Sequence, residues 1–354
     1  MKTFLVGGAV RDILLGLQPK DKDFVVVGSS VEEMLSLGFT QVGKDFPVFL
    51  HPETGDEHAL ARKERSTGAS HTDFECEVKG ITLEQDLLRR DLTINSMAMD
   101  MHTSEVIDPF GGQQDIKDKA LRATSLAFEE DPLRVLRVAR FLARLGDDWE
   151  VSLSTANMMS HLAKRVREEI SPERVWKEIE KALMEKAPWR FLSILSEVFQ
   201  LNIPRDHGRF GLDKVEDAGL LAEGRWAIFL MNLFPYEAQR LNKRVKAPTA
   251  FRKRFEHCCL DFECPTVIGA EGCLDILLKV GALHDITPMI RVLMTLSCTM
   301  SSEKACDLIG LWGDIWAFAR ELKAQTFIDQ GFEGKELGMK IREERIKRIE
   351  EVLK

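Results

Sequence analysis

No apolar run in the chain approaches the roughly 18 residues that a membrane-spanning helix requires. The opening Met1-Lys2-Thr3-Phe4-Leu5-Val6 is broken too soon by Arg11-Asp12 to serve as a secretory signal, so a cytoplasmic protein is expected. The seven cysteines include no C-x-x-C pair, and His257-Cys258-Cys259 with Cys264 fits no zinc-ligand spacing; reduced thiols are the reading. No G-x-G-x-x-G follows a strand, which removes the dinucleotide-binding fold that Val25-Val26-Val27-Gly28 would otherwise suggest. Basic charge is not in excess either: 49 Lys and Arg stand against 57 Asp and Glu, a net charge of −8, so a nucleic-acid partner would need a local basic stripe.

What is present is a chain of 354 residues, long enough for two or more domains. Its first hundred or so residues alternate short β-rich runs with loops. Candidate strands are Thr3–Val6, Asp23–Val27, Gln41–Val42, Val48–His51 and His58–Ala61, with a short helical stretch over Val10–Leu15 closed by Gly16. The polar, Gly/Ser/Thr-rich segment Lys63–Lys79 reads as a mobile loop. From Thr82 onward the pattern reads as helical, interrupted by a Pro/Gly turn over Val106–Gly112. Asp131-Pro132 and Ser171-Pro172 each place a capping residue before a proline suited to the first helical position. Charges of both signs through Lys335–Lys354 predict a solvated helix.

Chemistry is concentrated near the N-terminus. Carboxylates at i and i+2 of a strand share one face, so Asp21 and Asp23, opening the run Phe24-Val25-Val26-Val27, can converge on a cation or cation pair of the Mg²⁺ type. The preceding Gly7-Gly8-Ala9-Val10-Arg11-Asp12 offers glycine backbone that a phosphate can approach and an arginine to clamp it. In Arg89-Arg90-Asp91-Leu92-Thr93-Ile94-Asn95, residues 91 and 95 fall on one face of a predicted helix and could hold ribose hydroxyls. In Glu130-Asp131-Pro132-Leu133-Arg134, continuing to Arg144, arginines recur at 134, 137, 140 and 144. At about 100° per residue they share a sector opposite Val135, Val138, Ala139 and Leu142, which predicts a guanidinium stripe presented to an anion such as a triphosphate or an RNA backbone.

These segments, with Ile107-Asp108-Pro109-Phe110-Gly111-Gly112 between them, resemble the class II tRNA nucleotidyltransferases, and most closely the bacterial CCA-adding enzymes without a phosphohydrolase domain. The likeness spans roughly Val6 to Arg144, continues weakly through Ser171–Glu178, and returns at Gly331–Gly334 and Ile341–Glu344; little is recognisable between about 200 and 325. It implies an α/β head of the polymerase-β-like nucleotidyltransferase fold, a mixed sheet with helices, followed by an all-α neck, body and tail. The expected divisions are 1–120, 121–200, 201–310 and 311–354, with the tail binding tRNA.

The implied activity is template-independent addition of C, C and A to the tRNA 3′ end from CTP and ATP, with pyrophosphate released. The implied roles place Mg²⁺ on Asp21 and Asp23, with Glu57 a possible third acidic contributor. Gly8, Arg11, Arg137 and Arg140 would grip the triphosphate, Arg90, Asp91 and Asn95 the ribose, and Asp131 with Arg134 the base. Cytosine and adenine both offer an amine donor beside a ring-nitrogen acceptor, which a carboxylate and a guanidinium match, whereas guanine and uracil present the reverse. Asp131 is also a strong helix cap, a competing use of the same carboxylate.

The lone His284-Asp285 doublet has no second histidine cluster, so no phosphohydrolase activity is expected. A poly(A) polymerase or an enzyme adding only CC or only A shares the same head motifs. From a different class, a non-catalytic tRNA-binding protein would be expected to have lost these ligands. Basic residues that could read a tRNA stem, such as Arg165, Lys340 and Arg342, are scattered among acids. No protein or membrane partner is indicated.

Overall fold

The computed structural model describes residues 1–42, 47–66, 74–203, 212 and 219–354, with the side chains of 63–66 and 74–76 outside the description. It divides into two compact units, Met1–Ser171 and Pro172–Lys354.

The first unit runs β1 (Lys2–Val6), α1 (Gly8–Leu14), β2 (Asp23–Val27), α2 (Val31–Ser36), β3 (Thr40–Val42), β4 (Val48–Leu50), β5 (Glu57–Leu60), β6 (Lys63–Ser66) and β7 (Phe74–Glu77). It continues through α3 (Leu83–Leu88), a 3-10 turn at Thr93–Asn95, β8 (Ala98–Asp100), β9 (Val106–Ile107), α4 (Gly112–Lys117) and β10 (Ala120–Leu121). After a second 3-10 turn at Leu126–Glu130 come α5 (Arg134–Leu145), β11 (Glu150–Val151) and α6 (Leu153–Glu169). Seven strands form a mixed sheet in the order β3-β4-β5-β2-β1-β8-β9, in which only β2 and β5 are parallel.

Alternation along the strands separates two cores. Phe4 and Val6 of β1 and Val25 of β2 pack with Ala61, Leu87 and Ala98 in one cluster. Leu5 joins Ala9 and Val10 of α1 and Met97 in another, and Val26 joins Met34, Phe49 and Leu60. Asp23 shares the parity of Val25, so it lies at the end of the face covered by α3.

The sequence expectations for the five strands hold to within a residue or two, and Gly16 follows α1 with φ 73°. Three expectations need correction. Lys63–Lys79 is not simply a loop, because β6 and β7 pair as an antiparallel hairpin; residues 67–73 lie outside the described residues. The stretch after Thr82 is not continuously helical, since β8 and β9 extend the main sheet. These strands are three and two residues long and too short to show a period. At Asp131-Pro132 the proline precedes the helix: α5 starts at Arg134.

The second unit is helical among its described residues: α7 (Pro172–Leu183), α8 (Pro188–Phe199), α9 (Ala222–Met231), α10 (Pro235–Arg244), α11 (Thr249–Cys258), α12 (Pro265–Val280), α13 (Thr287–Ser297), α14 (Ser302–Arg320), α15 (Gln325–Ile328) and α16 (Gly334–Leu353). As expected, Pro172 is the first residue of α7 and 335–353 is helix, with Ile349 its only buried residue. Trp176, Trp226 and Phe251 pack edge to face at the centre of α7, α9 and α11. Asp285 accepts from the Thr287 N–H and so turns the chain into α13. Burial pushes the Cys258 thiol up to about 12, away from the thiolate a metal would take. Among the described residues no helix is long and apolar enough to cross a membrane.

Candidate active site

The site forms where β1 and β2 end. Val6 pairs with Asp23 across the antiparallel ladder, and Glu57 pairs with Asp23 on the parallel side. Asp21, Asp23 and Glu57 are all exposed. Asp21 lies in a bend two residues before β2 rather than within it, so the bend and the strand jointly present the doublet. Burial of its surroundings raises the Asp23 pKa, Arg90 draws it down, and Asp21 raises it again; the net direction is upward. Two adjacent carboxylates are suited to a divalent cation. Among the described residues no group of three acidic, histidine or cysteine side chains could hold a metal ion, so substrate oxygens and water would complete its shell.

At Gly7 the chain turns from β1 into α1 with φ 69°, where a side chain would be strained. A Cβ there would also stand 2.8 Å from Arg90 Nη1. The glycine therefore admits the Arg90 guanidinium to the end of the sheet beside Asp23. Arg90 Nη2 donates to Asp86 at 3.2 Å, and its buried Nε has no partner among the described residues.

Asp86, absent from the sequence reading, is fully buried on α3 and also accepts from the Arg89 side chain at 2.8 Å and from the Arg62 backbone N–H. Burial alone would push its pKa up, but Arg89 and Arg90 bring it below the usual value.

Asp91 and Asn95 do come together, through a hydrogen bond from Asn95 Nδ2 to Asp91 Oδ1 at 3.0 Å. They are not on one α-helix, however, because α3 ends at Leu88 and Asn95 closes a separate 3-10 turn. Both are buried. Arg137 Nη2 meets Asp91 Oδ2 at 2.7 Å, and Arg11 Nη1 donates to Asn95 Oδ1 at 2.6 Å. Burial pushes the Asp91 pKa up, but Arg137, Asn95 and Arg134 overcome it and hold it at about 2. Arg11, 2% exposed, also bonds Asp12 through Nε and Nη2, and Asp12 takes Arg144 at 2.8 Å on its other oxygen. A continuous chain of ion pairs and hydrogen bonds thus runs from Arg144 through Asp12, Arg11, the neutral Asn95 and Asp91 to Arg137.

That chain corrects the expected stripe. The arginine side of α5 is turned largely into the first unit, with Arg140 only 9% exposed and its guanidinium 5.2 Å from the Phe141 ring centroid. Asp12 and Asp91 supply part of the neutralisation assigned to an external anion. Partners 132 residues apart, as Arg144 and Asp12 are, leave no local signature in a sequence.

Arg134 donates through Nη1 to the Ala127 carbonyl and through Nη2 to the Arg89 carbonyl, each at 2.8 Å. Asp131 is not the helix cap expected of it: its carboxylate accepts from the Leu133 N–H at 3.0 Å in the turn that precedes α5, whose N-cap is Leu133 with no side-chain cap bond. The Pro/Gly turn has a structural part of its own. Asp108 accepts the Gly112 and Gln113 N–H groups, and a Cβ at Gly112 would fall 2.4 Å from the Thr93 carbonyl, so α4 packs directly under the 3-10 turn that ends at Asn95. Thr93 and Arg122 both bond the buried Asp115 of α4.

Residues 3–122 match the Poly A polymerase head domain family. A CCA-adding enzyme from Marinobacter nauticus is 38% identical over an alignment that takes in 100% of this chain and 99% of that protein. The chain belongs to the CCA-adding enzyme family. This is a family of nucleotidyltransferases, generally metal-dependent. A multifunctional CCA protein from Shewanella denitrificans is 52% identical over 221 residues, 61% of this chain, and the chain spans about half of that longer relative, 53%. A tRNA-processing enzyme solved with CTP superposes with a TM-score of 0.64 at 26% identity, over 99% of this chain and 97% of its own.

Proposed function

We propose that the chain adds CCA to the 3′ end of tRNA without a nucleic-acid template, taking CTP and ATP and releasing pyrophosphate. The observation that carries this reading is the convergence of the exposed Asp21/Asp23 pair with Arg90, held in one bonded framework with Arg134 and Arg137. End-to-end similarity to a CCA-adding enzyme and likeness to a tRNA-processing enzyme solved with CTP support it. On this reading residues 1–120 are the catalytic head, 121–200 the nucleotide-selecting neck, and 201–310 and 311–354 the body and tail.

Mg²⁺ is the metal we assign to Asp21 and Asp23, whose all-oxygen donor set suits it; when bound it supplies charge stabilisation for the 3′-hydroxyl and the triphosphate. The remaining work falls to side chains. Gly8 lets the phosphates approach α1, while Arg11, held by Asp12 and Asn95, acts from beneath as a fixed positive charge. Arg137 and Arg140 add charge from α5. Asp91 and Asn95 set the positions of Arg137 and Arg11, and so border the ribose rather than standing free for it.

Arg134 has five N–H donors, of which two hold backbone carbonyls; the guanidinium plane is therefore fixed and its remaining edge can donate to the ring nitrogen of cytosine or adenine. Asp131, beside it, accepts the exocyclic amine.

The deciding experiment incubates the protein with tRNA lacking its terminal CCA, supplying CTP, ATP or both. Addition of two C residues with CTP alone and completion by ATP is expected. Long A-tracts would instead identify a poly(A) polymerase, and an addition stopping at CC, or only A, a partial enzyme. Binding without extension would make the protein a tRNA-binding scaffold.

A further inference from the structure

The basic residues that the sequence scatters along the chain fall into two kinds once their neighbours are known. Arg165 is paired with Glu169 at 2.8 Å, Lys340 with Glu343 at 2.9 Å, and Arg342 with both Glu271 and Asp275 at 2.9 Å. Their charge is already spent on neighbouring acids. On α10 the situation is the reverse. Arg240, Lys243 and Arg244 are exposed, and none has a side-chain hydrogen bond or ion pair among the described residues. The one acid of this helix, Glu237, is 1% exposed and turned inward, where it accepts from the Asn202 backbone N–H and side chain.

Helical spacing aligns Tyr236, Arg240, Lys243 and Arg244 at i, i+4, i+7 and i+8, within one sector of about 100°. At the N-terminal end of that sector Phe234 and Tyr236 are 51% and 59% exposed, with their rings 6.1 Å apart and 18° from parallel. At the other end Lys243 borders a cleft of about 640 Å³ lined also by Arg252, Glu256 and Lys246, the last of them already paired with Glu173 at 2.7 Å. In a chain of net charge −8, Arg240, Lys243 and Arg244 thus form a cationic face without acidic partners among the described residues, with an aromatic step at one end.

We propose that the α10 face, with Phe234 and Tyr236, docks the sugar-phosphate backbone of a folded RNA, the cations meeting successive phosphates and the ring pair offering a surface for an accessible base. Charge complementarity favours RNA over an apolar partner, and the flat aromatic pair favours it over a free phosphate ion. The proposal rests on the tRNA-extending activity above, and it assigns to the second unit a contact that the active site does not supply.

The test compares the full-length protein with Arg240→Ala/Lys243→Ala/Arg244→Ala and with Tyr236→Leu, using tRNA that lacks CCA. The triple variant should raise Kd and KM for tRNA about tenfold or more while leaving kcat and the KM for CTP unchanged. Its plot of log Kd against log salt should flatten by about one unit of slope per phosphate contact removed. Tyr236→Leu should weaken binding about fivefold with no change in salt slope. If the wild-type protein binds and extends tRNA but both variants match it in Kd and slope, the docking face is overturned and the activity stands. If the wild type neither binds nor extends tRNA, both readings fall. If polyglutamate displaces tRNA from the wild type as effectively as unlabelled tRNA does, the face serves an acidic protein and the RNA assignment is overturned.

Discussion

Asp21 and Asp23 lie open at the end of the sheet, while Asp86 and Asp91, in the same unit and joined to the same arginine segment, are buried beneath guanidinium groups. Asp23 is raised above its ordinary value chiefly by the burial of its surroundings, which Arg90 only partly offsets and the neighbouring Asp21 charge adds to. The second pair has each carboxylate shared among several donors, and its members titrate below theirs. An aspartate whose charge is satisfied within the fold is structural material; one left under-compensated costs stability and retains its capacity to bind an incoming cation. The difference separates the part of the site that would act from the part that holds it in place.

Replacing Asp23 by Asn gives the largest expected effect. Transfer should fall by roughly 10³-fold, since several kcal/mol of charge stabilisation depend on the metal it holds. Stability should move the other way. With its folded pKa raised, Asp23 destabilises the fold as pH rises through that value, so at pH 7 the uncharged variant should melt no lower than the wild type. Added Mg²⁺ should raise the melting temperature of the wild type and not of Asp23→Asn. A variant that melts well below the wild type would erase the contrast.

Asp91→Asn should behave in the opposite sense, losing about 2 kcal/mol in denaturant unfolding. The sign follows from its depressed pKa: the Asp91 contribution is complete above its ordinary 3.8 and is lost as pH falls through about 2. Wild-type stability should therefore drop across that window more steeply than that of Asp91→Asn, and parallel curves would break the assignment. Arg144→Ala removes one of the two partners of Asp12, and because Arg11 remains, the expected cost is about 1 kcal/mol. At the exposed extreme, Arg342→Ala should change stability by less than about 0.5 kcal/mol despite its two ion pairs.

Much of the first unit was legible from sequence. Its five expected strands and α1, like the start of α7 in the second unit, follow from alternation, glycine and proline signals that act over a few residues. The Asp21/Asp23 doublet was legible for the same reason. What escaped is non-local. Nothing in Leu83–Leu88 marks Asp86 as the acceptor for Arg62, Arg89 and Arg90, and the spacing of arginines on α5 shows that they share a side without showing what that side meets. The short strand β8 owes its existence to a neighbour in the sheet, β1, ninety or so residues earlier, and β9 in turn pairs with β8. On α10, sequence displays Glu237 among the basic residues as though it diluted their charge, and only its burial removes it from the surface.

The Arg144–Asp12 and Arg137–Asp91 bonds bear on where the first unit can be divided. The head-domain match ends at residue 122, yet a fragment cut there would keep Asp12 and Asp91 and lose both of these α5 arginines. Asp91 would be left buried without its cationic partner, an arrangement proteins avoid by unfolding locally or by protonating. The smallest piece that keeps both bonds therefore reaches at least to Arg144, beyond the boundary that similarity alone would draw.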